Sequence, residues 1–419
     1  MLYYACAVSK IADPKLASKG KLSYEWASSH MLILARTIEK MEKQKPLHGI
    51  HVGFCLHMTK ETSMLAMGAK RLGADVSICA ANPISTQDDI AAFLASQGIN
   101  VYAWRGETAQ EYNDCIRSVI RNEPDIITDD GADAHVKLHS EKEFAKLMPM
   151  GGTEETTTGV VRLRALQNDG LLRYPVIAVN NAYTKHLFDN RYGTGQSTID
   201  GIMRATALLF AGKNVVVCGY GWVGRGVANR ARGMSAKVFV TEVDPIKALE
   251  AHMDGFTVVP IKEAIKLGDM FVTATGQTGV VSGEHIESMK DGAILANAGH
   301  FDVEVDTKYL ESHSKSKREV RNNLDEYTMK SGKKVYLIGK GRIANLVAAE
   351  GHPPEVMALS FSNQLLSILH IVKNHVKMEK AIHDVPKAID SQIAVNSLEA
   401  MGIKIDKPTK EQIKYAKSW

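Results

Sequence analysis

A glycine-rich turn between two apolar segments is the stretch of the chain whose residue spacing most clearly suits chemistry. The sequence GYGWVG at residues 219–224 follows the apolar run 215–218 and precedes a segment compatible with a helix. In a G-x-G-x-x-G turn of this kind, the first glycine permits a tight turn, the second lets the backbone approach a pyrophosphate, and the third brings the helix close to the strand. The free amides at the start of the helix then face an anion. The turn therefore predicts a dinucleotide-binding site.

An acidic residue further along the chain indicates which dinucleotide is bound. Glu242 follows the next apolar segment, 237–241. Its carboxylate can accept hydrogen bonds from ribose hydroxyls and would repel a 2′-phosphate. We therefore predict NAD rather than NADP as the cofactor. A glycine turn without a ligand is the alternative, and the complete strand–helix–strand context disfavours it.

Polar residues also gather where predicted strands of the first half of the chain end. The sequence HMTKE at 57–61 follows the first strand, Asp129-Asp130 follows the fourth, and Asn180-Asn181 precedes a lysine and two further polar residues at 185–190. Ligands of open α/β sheets bind beyond the carboxyl ends of the strands. We therefore expect a polar, hydroxyl-rich substrate at this edge, beside the nicotinamide.

The elements that must position these residues alternate between strand and helix, which predicts mostly parallel sheets. Strands are predicted at 50–55, 75–80, 100–104, 125–128 and 176–179, and in the second half at 215–218, 237–241, 257–259, 270–273, 293–296 and 334–338. A helical stripe is predicted over 24–41, and the chain turns helical again after 343.

We predict an α/β fold with two doubly wound parallel-sheet domains. The substrate-binding domain spans 1–185 and is completed by 346–385, and the Rossmann NAD-binding domain spans 186–345. A small C-terminal helical tail, 386–419, is expected to be an oligomer contact.

Composition narrows the class of protein. The 419 residues are 45% hydrophobic and 23% charged with a formal charge of +4, which is ordinary for a soluble globular protein and does not suggest nucleic acid as a partner. The densest basic run, 315–321, is expected to be a solvated loop. Five cysteines without C-x-x-C or metal-ligand spacing indicate reduced thiols in the cytoplasm and no metal site. We find no signal pattern and no apolar run that would span a bilayer.

Longer motifs then occur in a single order. They are CLHMTKET, STQDD, WRGET, DDGADAH, GGTEETTTG, TKHLFDNRYGTGQSTIDGI, GYGWVGRG, TEVDP, ANAGHFDVEVD and GRIANLVAAEGHPPEVM. With these motifs the chain resembles the S-adenosylhomocysteine hydrolase family over nearly its whole length. The resemblance implies reversible hydrolysis of S-adenosyl-L-homocysteine to adenosine and L-homocysteine by a homo-oligomer, a tetramer or a dimer. In that reaction bound NAD+ oxidises the ribose 3′-hydroxyl, the C4′ proton is removed, homocysteine leaves from C5′, water adds and the ketone is reduced again.

The resemblance also implies the roles of individual residues. The catalytic set is His57, Asp130, Glu155, Lys185, Asp189 and Asn190, with His57 and Asp130 near C4′ and C5′ and the others around the ribose hydroxyls. The substrate contacts are Thr59 and Glu61 at adenine, with His300 and His352. The cofactor contacts are Thr156, Thr157, Thr158, Asn190, Gly219, Gly221, Val223, Gly224, Glu242, Thr275, Gly276, Gly299, His300 and Asn345. Lys185 is the expected base of the oxidation, which requires a lowered pKa.

Each of these features also has a plain structural reading. Lys185 and Asp189 could be a surface ion pair, His57 an ordinary loop histidine, and Glu154-Glu155 the cap of a helix. It is improbable that all of them occur together in one family's order. Two departures from the family pattern are Ala132 in place of a common glycine and Thr194 in place of a common cysteine.

Three other functions remain open at this point. The first is hydrolysis of S-inosylhomocysteine, although Glu61 favours adenine because a carboxylate accepts from an amine and opposes a carbonyl oxygen. The second is a 2-hydroxyacid or alanine dehydrogenase, which would not need the EETTTG and FDN clusters. The third is a silent NAD-sensing protein, which the presence of Lys185 and Asp130 disfavours.

Overall fold

Two parallel-dominated sheets organise the chain, and this computed structural model describes residues 9–419. The first seven strands are β1 Lys10–Ile11, β2 His51–Cys55, β3 Asp75–Cys79, β4 Asn100–Ala103, β5 Ile126–Asp129, β6 Gly151–Glu154 and β7 Val176–Ala178. The next eight are β8 Asn214–Cys218, β9 Lys237–Thr241, β10 Thr257–Val258, β11 Met270–Thr273, β12 Ala293–Asn297, β13 Ser314–Arg321, β14 Leu324–Met329 and β15 Lys334–Ile338. The last strand, β16 Ile382–Asp384, returns to the first sheet.

The helices of the first half follow the expected alternation. They are α1 Ala17–His30, α2 Leu32–Glu42, α3 Lys60–Arg71, α4 Asp88–Ser96, α5 Ala109–Arg121, α6 Asp133–Ser140, α7 Thr157–Asn168 and α8 Tyr183–His186. A π-helical turn, Asp189–Gly193, connects α8 to the next helix. π-Turns within helical segments are rare and occur often at functional sites.

The helices of the second half cover the second sheet and then return to the first. They are α9 Thr194–Thr206, α10 Trp222–Gly233, α11 Pro245–Met253, α12 Ile261–Leu267, α13 Gly283–Ser288, α14 Thr307–His313, α15 Ala344–Val347, α16 Pro354–Asn374, α17 Lys387–Ala400 and α18 Lys410–Tyr415.

Strand order confirms the α/β class with two doubly wound sheets. The first sheet runs β1-β4-β3-β2-β5-β6-β7-β16, and the second runs β10-β9-β8-β11-β12-β15-β14-β13. All pairs of the first sheet are parallel, and in the second sheet only the pairs formed by β14 are antiparallel. Alternate residues of each strand point to opposite faces, so Val215 and Val217 join one core while Val216 and Cys218 join another.

Two expectations from the sequence are wrong. The basic run at 315–321 is not a loop, because it lies in β13, an exposed edge strand in which the guanidinium of Arg318 contacts Glu326 of β14 at 2.8 Å. Charged side chains are common on edge strands because they discourage pairing with other chains. The helical stripe 24–41 is also not continuous, because the backbone leaves the helical region at the buried Met31, with φ of −100° and ψ of 48°.

The sequence patterns also did not predict β6, whose residues are GGTE. Glycine is unfavourable in strands, but at the two glycines of β6 the neighbouring helices leave no room for a side chain. A Cβ on Gly151 would lie 2.8 Å from Ile371 of α16, and one on Gly152 would lie 2.3 Å from the ring of His135. The close approach of α16 and α6 therefore requires both glycines.

The long helix α16 completes the first domain. By length and composition it is apolar enough to cross a membrane, contrary to the expectation from the sequence, and 67% of that stretch is buried inside the protein. It packs on α2, α3, α8 and β6, so its apolar side chains form part of the first core.

The division of the chain at residue 386 stays a prediction, but α17, which we had placed in the tail, packs on the first domain. The buried Asp390 of α17 accepts hydrogen bonds from the amides of Tyr183 and Thr184, both at 2.8 Å. Helix α17 therefore holds the turn that carries Lys185. Residues 401–419 beyond it are exposed throughout.

A close crossing of α9 and α10 fixes the position of the π-helical turn at the start of the second domain. A Cβ on Gly226 of α10 would lie 1.9 Å from the carbonyl oxygen of Arg191, and one on Gly195 of α9 would lie 2.5 Å from the carbonyl carbon of Gly226. Only glycine at both positions allows these backbones to meet.

We predict that Gly226→Ala lowers the stability of the protein by about 1–3 kcal/mol, because the added methyl group must push the turn away from α10. Gly233→Ala is the matched control in the same helix, since a Cβ there meets no atom of the described chain within 4 Å. The control should be neutral or stabilising by up to about 1 kcal/mol. Thermal unfolding followed by circular dichroism measures both, and equal midpoints for the two variants would contradict the prediction.

Candidate active site

A cavity of about 1250 Å³ is lined by residues from both domains. Many of these residues follow the carboxyl ends of strands, among them His57 after β2, Asp130 after β5, Glu155 after β6, Gly219 after β8 and Glu242 after β9. The edge at which the sequence predicted a ligand is therefore a cavity. Of the site residues that we predicted, all line the cavity except Gly224.

The buried end of the cavity is built around Lys185. Its ammonium group donates a hydrogen bond to Oδ1 of Asn190 at 2.7 Å and lies 3.3 Å from Asp189 and 3.5 Å from Glu155. The side chains of Lys185, Asp189 and Glu155 are exposed by only 5, 3 and 7%. The alternative of a surface ion pair is therefore wrong. Helix α8 and the π-helical turn place the lysine and Asp189 against the end of β6.

Further side chains hold this group in place, and of these only Asn180 was expected at this edge from the sequence. Ser360 donates to Oδ2 of Asp189 at 2.7 Å, and Gln364 donates to Oε2 of Glu155. Asn190 in turn donates to Oδ1 of Asn180 at 3.0 Å. Ser360 and Gln364 lie one turn apart on α16, so polar residues at helical spacing within an apolar helix were the signal that could have identified them.

The ionisation of Lys185 differs from the expectation. Burial lowers its pKa, but the negative charges of Asp189 and Glu155 outweigh burial and hold the pKa above its ordinary value. Conversely, Lys185 and His352 outweigh burial at Asp189 and hold the pKa of that carboxyl well below its usual range. In the chain without a ligand, Lys185 is therefore an ammonium ion and cannot accept a proton.

Glu155 is the acid of this group that titrates near neutrality. Burial raises its pKa to about 7, Lys185 lowers it, and Asp189 and Asp130 raise it. Its Oε1 atom is buried and has no hydrogen-bond partner in the described part of the chain. A ligand hydroxyl could supply the missing donor.

A second acid–base group lies at the end of β2. The Nε2 atom of His57 is 3.5 Å from Oδ2 of Asp130, and Nδ1 of His300 is 3.6 Å from Oδ1. The other ring nitrogen of His57 contacts the hydroxyl of Ser85 at 2.8 Å, a partner that we did not predict. Burial lowers the pKa of His57 to about 4, against the favourable charge of Asp130. The ring is therefore neutral at pH 7 and able to accept a proton.

Three separate segments bring His57, Asp130 and His300 together, so sequence spacing could not reveal them as a set. One possible ligand atom from each lies within 4.8 Å of the others, close enough to hold a metal ion. Any metal there would compete with protons for the same ring nitrogens.

The turn after Asp130 requires unusual backbone conformations. Gly131 has a φ of +107°, and a Cβ there would lie 2.4 Å from Nε2 of His300 in the other domain. Ala132 has a φ of +63°, in the left-handed region that costs an alanine about 1 kcal/mol. Alanine in place of the common glycine at 132 therefore has an energetic cost.

The predicted adenine pocket contains one buried acceptor that makes no hydrogen bond to a described residue, the Oε1 atom of Glu61. Glu61 is 1% exposed, and its Oε1 atom has no hydrogen-bond partner among residues 9–419, although Nζ of Lys60 lies 3.3 Å away. Thr59 caps α3 through the amide of Thr62. His352 contacts the hydroxyl of Thr194 and the amide group of Asn345, both at 3.1 Å. The hydroxyl of Thr194 thus contacts His352 at the position where the family pattern commonly has a cysteine.

The residues of the second domain fit a dinucleotide. Gly219 has a φ of +100°, a Cβ on Gly221 would meet no described atom within 4 Å, and one on Gly224 would lie 2.0 Å from the carbonyl oxygen of Gly219. Gly219 permits the tight turn, Gly221 leaves the turn open to a phosphate, and Gly224 brings α10 onto the strand. Glu242 accepts the amide of Tyr220 at 2.6 Å and faces the cavity.

Two further buried oxygen atoms support this fit. Oγ1 of Thr158 and Oδ1 of Asn345 line the cavity without a hydrogen-bond partner in the part of the chain that the structure describes. Buried polar atoms are normally paired, so a bound group with amide donors, such as a nicotinamide carboxamide, would satisfy them.

Comparison with known proteins gives a consistent result. A family model described as S-adenosyl-L-homocysteine hydrolase matches residues 8–150, and one described as the NAD binding domain of that enzyme matches residues 190–351. The chain is 56% identical to the adenosylhomocysteinases of Aeropyrum pernix and Saccharolobus solfataricus, each over 98% of this chain and at least 98% of the relative. It is also 53% identical to an S-inosyl-L-homocysteine hydrolase of Methanopyrus kandleri, over 98% of this chain and 97% of the relative.

We predict that the ring of His57 stays neutral until the pH falls to about 4. Asp130→Asn should lower this pKa further, because the Asp130 carboxylate favours the protonated ring. Nitrogen-15 NMR of histidine-labelled protein, with His57 assigned through His57→Gln, measures the titration. Asp133→Asn, in the next turn, is the control and should leave the pKa unchanged. A higher pKa in Asp130→Asn would contradict the prediction.

Proposed function

The chain belongs to the S-adenosyl-L-homocysteine hydrolase family, and from this membership we propose that it hydrolyses S-adenosyl-L-homocysteine reversibly to adenosine and L-homocysteine. The observation that carries the proposal is that the Lys185 and His57 groups share one cavity with the dinucleotide-binding turn. NAD is the cofactor, and when bound it supplies the acceptor and the donor of the hydride at the ribose 3′-carbon.

Lys185 is the proposed base for the 3′-hydroxyl proton. It is an ammonium ion in the free chain, but any positive charge that binds in the cavity lowers its pKa. Asn190 and Asp189 fix its position through contacts of 2.7 and 3.3 Å. The Oε1 atom of Glu155 lies 3.5 Å from the ammonium of Lys185 but makes no hydrogen bond to a described residue, so it is positioned to accept one from a ribose hydroxyl.

His57 and Asp130 are the proposed acid–base pair for the next steps. A 3′-ketone acidifies the neighbouring C4′ proton, and a neutral imidazole can remove it. Asp130, whose oxygen lies 3.5 Å from the ring, stabilises the imidazolium that results. The protonated ring can then return a proton to the leaving sulfur atom or help water to add at C5′.

Adenine is the proposed base of the nucleoside. The free Oε1 atom of Glu61 can accept a hydrogen bond from an exocyclic amine. One observation favours hypoxanthine instead: the chain is also 53% identical to an S-inosyl-L-homocysteine hydrolase. S-inosylhomocysteine hydrolysis is therefore the second candidate function.

We also propose that the enzyme is a cytoplasmic homo-oligomer, a dimer or a tetramer, without nucleic-acid or membrane partners. Support for the oligomer comes from the exposed apolar side chains Ile405, Ile413, Tyr415 and Trp419 beyond α17. Apolar side chains concentrated in one exposed segment suit a contact with another subunit.

The preference for adenine is testable in the direction of synthesis. With homocysteine as the second substrate, kcat/KM should be higher for adenosine than for inosine, and Glu61→Gln should narrow that ratio by about tenfold, because an amide both donates and accepts. Glu350→Gln, which removes the other carboxylate beside Lys60 but does not line the cavity, should leave the ratio unchanged. A wild-type preference for inosine would support the second candidate function.

The order of chemical steps is testable with adenosine in heavy water. We predict that the enzyme exchanges hydrogen for deuterium at C4′ but not at C3′, because only the C4′ hydrogen is released as a proton. His57→Ala and Asp130→Asn should slow the exchange by about 10²-fold or more, and more than they slow NADH formation. Lys185→Ala should instead remove most NADH formation.

Proton NMR of the recovered adenosine and NADH absorbance are the two measurements. Asp133→Asn again serves as the control. An unexchanged C4′ under full turnover would overturn the proposed mechanism, and an unchanged NADH signal in Lys185→Ala would show that another group is the base.

A further inference from the structure

Two acidic side chains lie buried side by side beneath the catalytic loops. Asp129 ends β5 and Glu154 ends β6, and the two are register partners in the parallel pair of strands. Both side chains are fully shielded from solvent, and neither lines the cavity. Each directly precedes a residue that does line it, Asp130 in one case and Glu155 in the other.

One oxygen atom of Glu154 ties these two loops together. Its Oε1 accepts hydrogen bonds from the amides of Gly131 and Thr156, both at 2.9 Å. The first amide belongs to the turn of Asp130, and the second follows Glu155. The two oxygen atoms of Asp129 are also engaged, since they accept from the amides of Asp130 and His135 at 2.9 Å.

The surrounding backbone is shaped to admit this carboxyl group. A Cβ on Gly159 would lie 2.2 Å from the carboxyl carbon of Glu154. Both ring nitrogens of the neighbouring His135 are occupied, one with the hydroxyl of Tyr174 at 2.9 Å and the other with the carbonyl of Thr153 at 3.2 Å. Both ring nitrogens of His135 therefore already have partners, although one of them and an oxygen atom of each carboxyl group lie within 4.8 Å of one another.

The charge of the pair is the unusual feature. Two ionised carboxylates with oxygen atoms within 4.8 Å of each other and shielded from solvent would repel each other strongly, so one proton is retained between them. Oε2 of Glu154 is the one carboxyl oxygen of the pair without a hydrogen-bond partner among the described residues. It is therefore the oxygen on which a proton disturbs no existing contact.

We propose that Glu154 is a positioning residue that works as a neutral carboxylic acid. Its Oε1 holds the Asp130 turn to the Glu155 loop, and the proton on Oε2 avoids a second buried negative charge beneath the site. The inference rests on the proposed function only in that Asp130 and Glu155 act on the substrate.

The environment of the pair favours this protonation state. Burial raises the pKa of Glu154 well above its ordinary value, Asp129 and Asp130 raise it further, and the amides of Gly131 and Thr156 lower it. Burial likewise raises the pKa of Asp129 to about 7, with Asp133 adding to the shift and the amide of His135 opposing it. Burial lowers the pKa of His135 to about 3, so its ring is neutral and adds no positive charge.

The test compares Glu154→Gln with Glu154→Ala. Glutamine keeps an oxygen acceptor for the two amides and has no charge, so it should retain C4′ exchange within about threefold of the wild type, whereas alanine releases both loops and should lose about 10²-fold. Equal loss in both variants would overturn the proposal, because it would show that an ionised carboxylate is needed. Full activity in both would also overturn it, because Glu154 would then position nothing.

A spectroscopic measurement keeps the proposal falsifiable if Glu154→Ala does not fold. The infrared difference spectrum of wild type minus Glu154→Gln at pH 7 should contain the C=O stretch of a protonated carboxylic acid. A difference that contains only carboxylate bands would overturn the neutral assignment. In addition, the thermal midpoint of the wild type should fall more steeply than that of Glu154→Gln as the pH rises above the ordinary pKa of a glutamate, because the folded wild type binds the extra proton.

Glu304 offers a matched control in the cofactor domain. It is also buried, and its two oxygens accept the amides of Gly276 at 2.9 Å and Thr275 at 3.0 Å. Glu304→Ala should weaken NAD retention but leave the ratio of C4′ exchange to NADH formation unchanged at saturating NAD. If the wild type forms no thioether from adenosine and homocysteine, the proposed function fails. If the wild type is active but Glu154→Gln behaves like Glu154→Ala, only this inference fails.

Discussion

The site depends on one ammonium group that is buried among carboxyl groups. Lys185 is 4% exposed and shares its surroundings with Asp189 and Glu155. Removing an ion from water costs several kcal/mol, which only close partners with satisfied hydrogen bonds offset. Each partner comes from a different element, so the charge balance requires α8, the π-helical turn and the end of β6 to assemble together. Helix α16 then supplies a hydrogen bond to one oxygen of each acid, from Ser360 to Asp189 and from Gln364 to Glu155.

Burial shifts the pKa values of neighbouring groups in different directions, because the groups differ in being acids or bases and in their charged partners. At His57 burial dominates and lowers the pKa to about 4. At Glu155 burial dominates again, but for an acid the effect is to raise the pKa to about 7. At Lys185 the adjacent carboxylates overcome burial and keep the group charged. One cavity therefore contains a neutral base, an acid that titrates near neutrality and a cation, which are the ingredients of a sequence of proton transfers.

Two close backbone approaches shape this cavity, one between the two domains and one within the second domain. Gly131 leaves room for His300, whose ring contacts Asp130 across the cavity at 3.6 Å. Gly226 leaves room for the carbonyl oxygen of Arg191 in the π-helical turn. A side chain at either glycine would separate groups that must act on the same nucleoside. The lack of a Cβ at these two positions therefore permits the close packing of backbone and side chains around the site.

The sequence by itself determined the α/β alternation and the dinucleotide turn, and all but one of the site residues that it predicted line the cavity. These features depend on local apolar runs, on glycine spacing and on the order of motifs, which are all readable along the chain. Only the tertiary structure decided which side chains support them. Ser360 lies 171 residues from Asp189 and Gln364 lies 209 residues from Glu155, so no local pattern links them. The structure also decided that Lys185 is charged, because a pKa depends on the distances to partner charges and on the exclusion of water, and both are set when the domains pack.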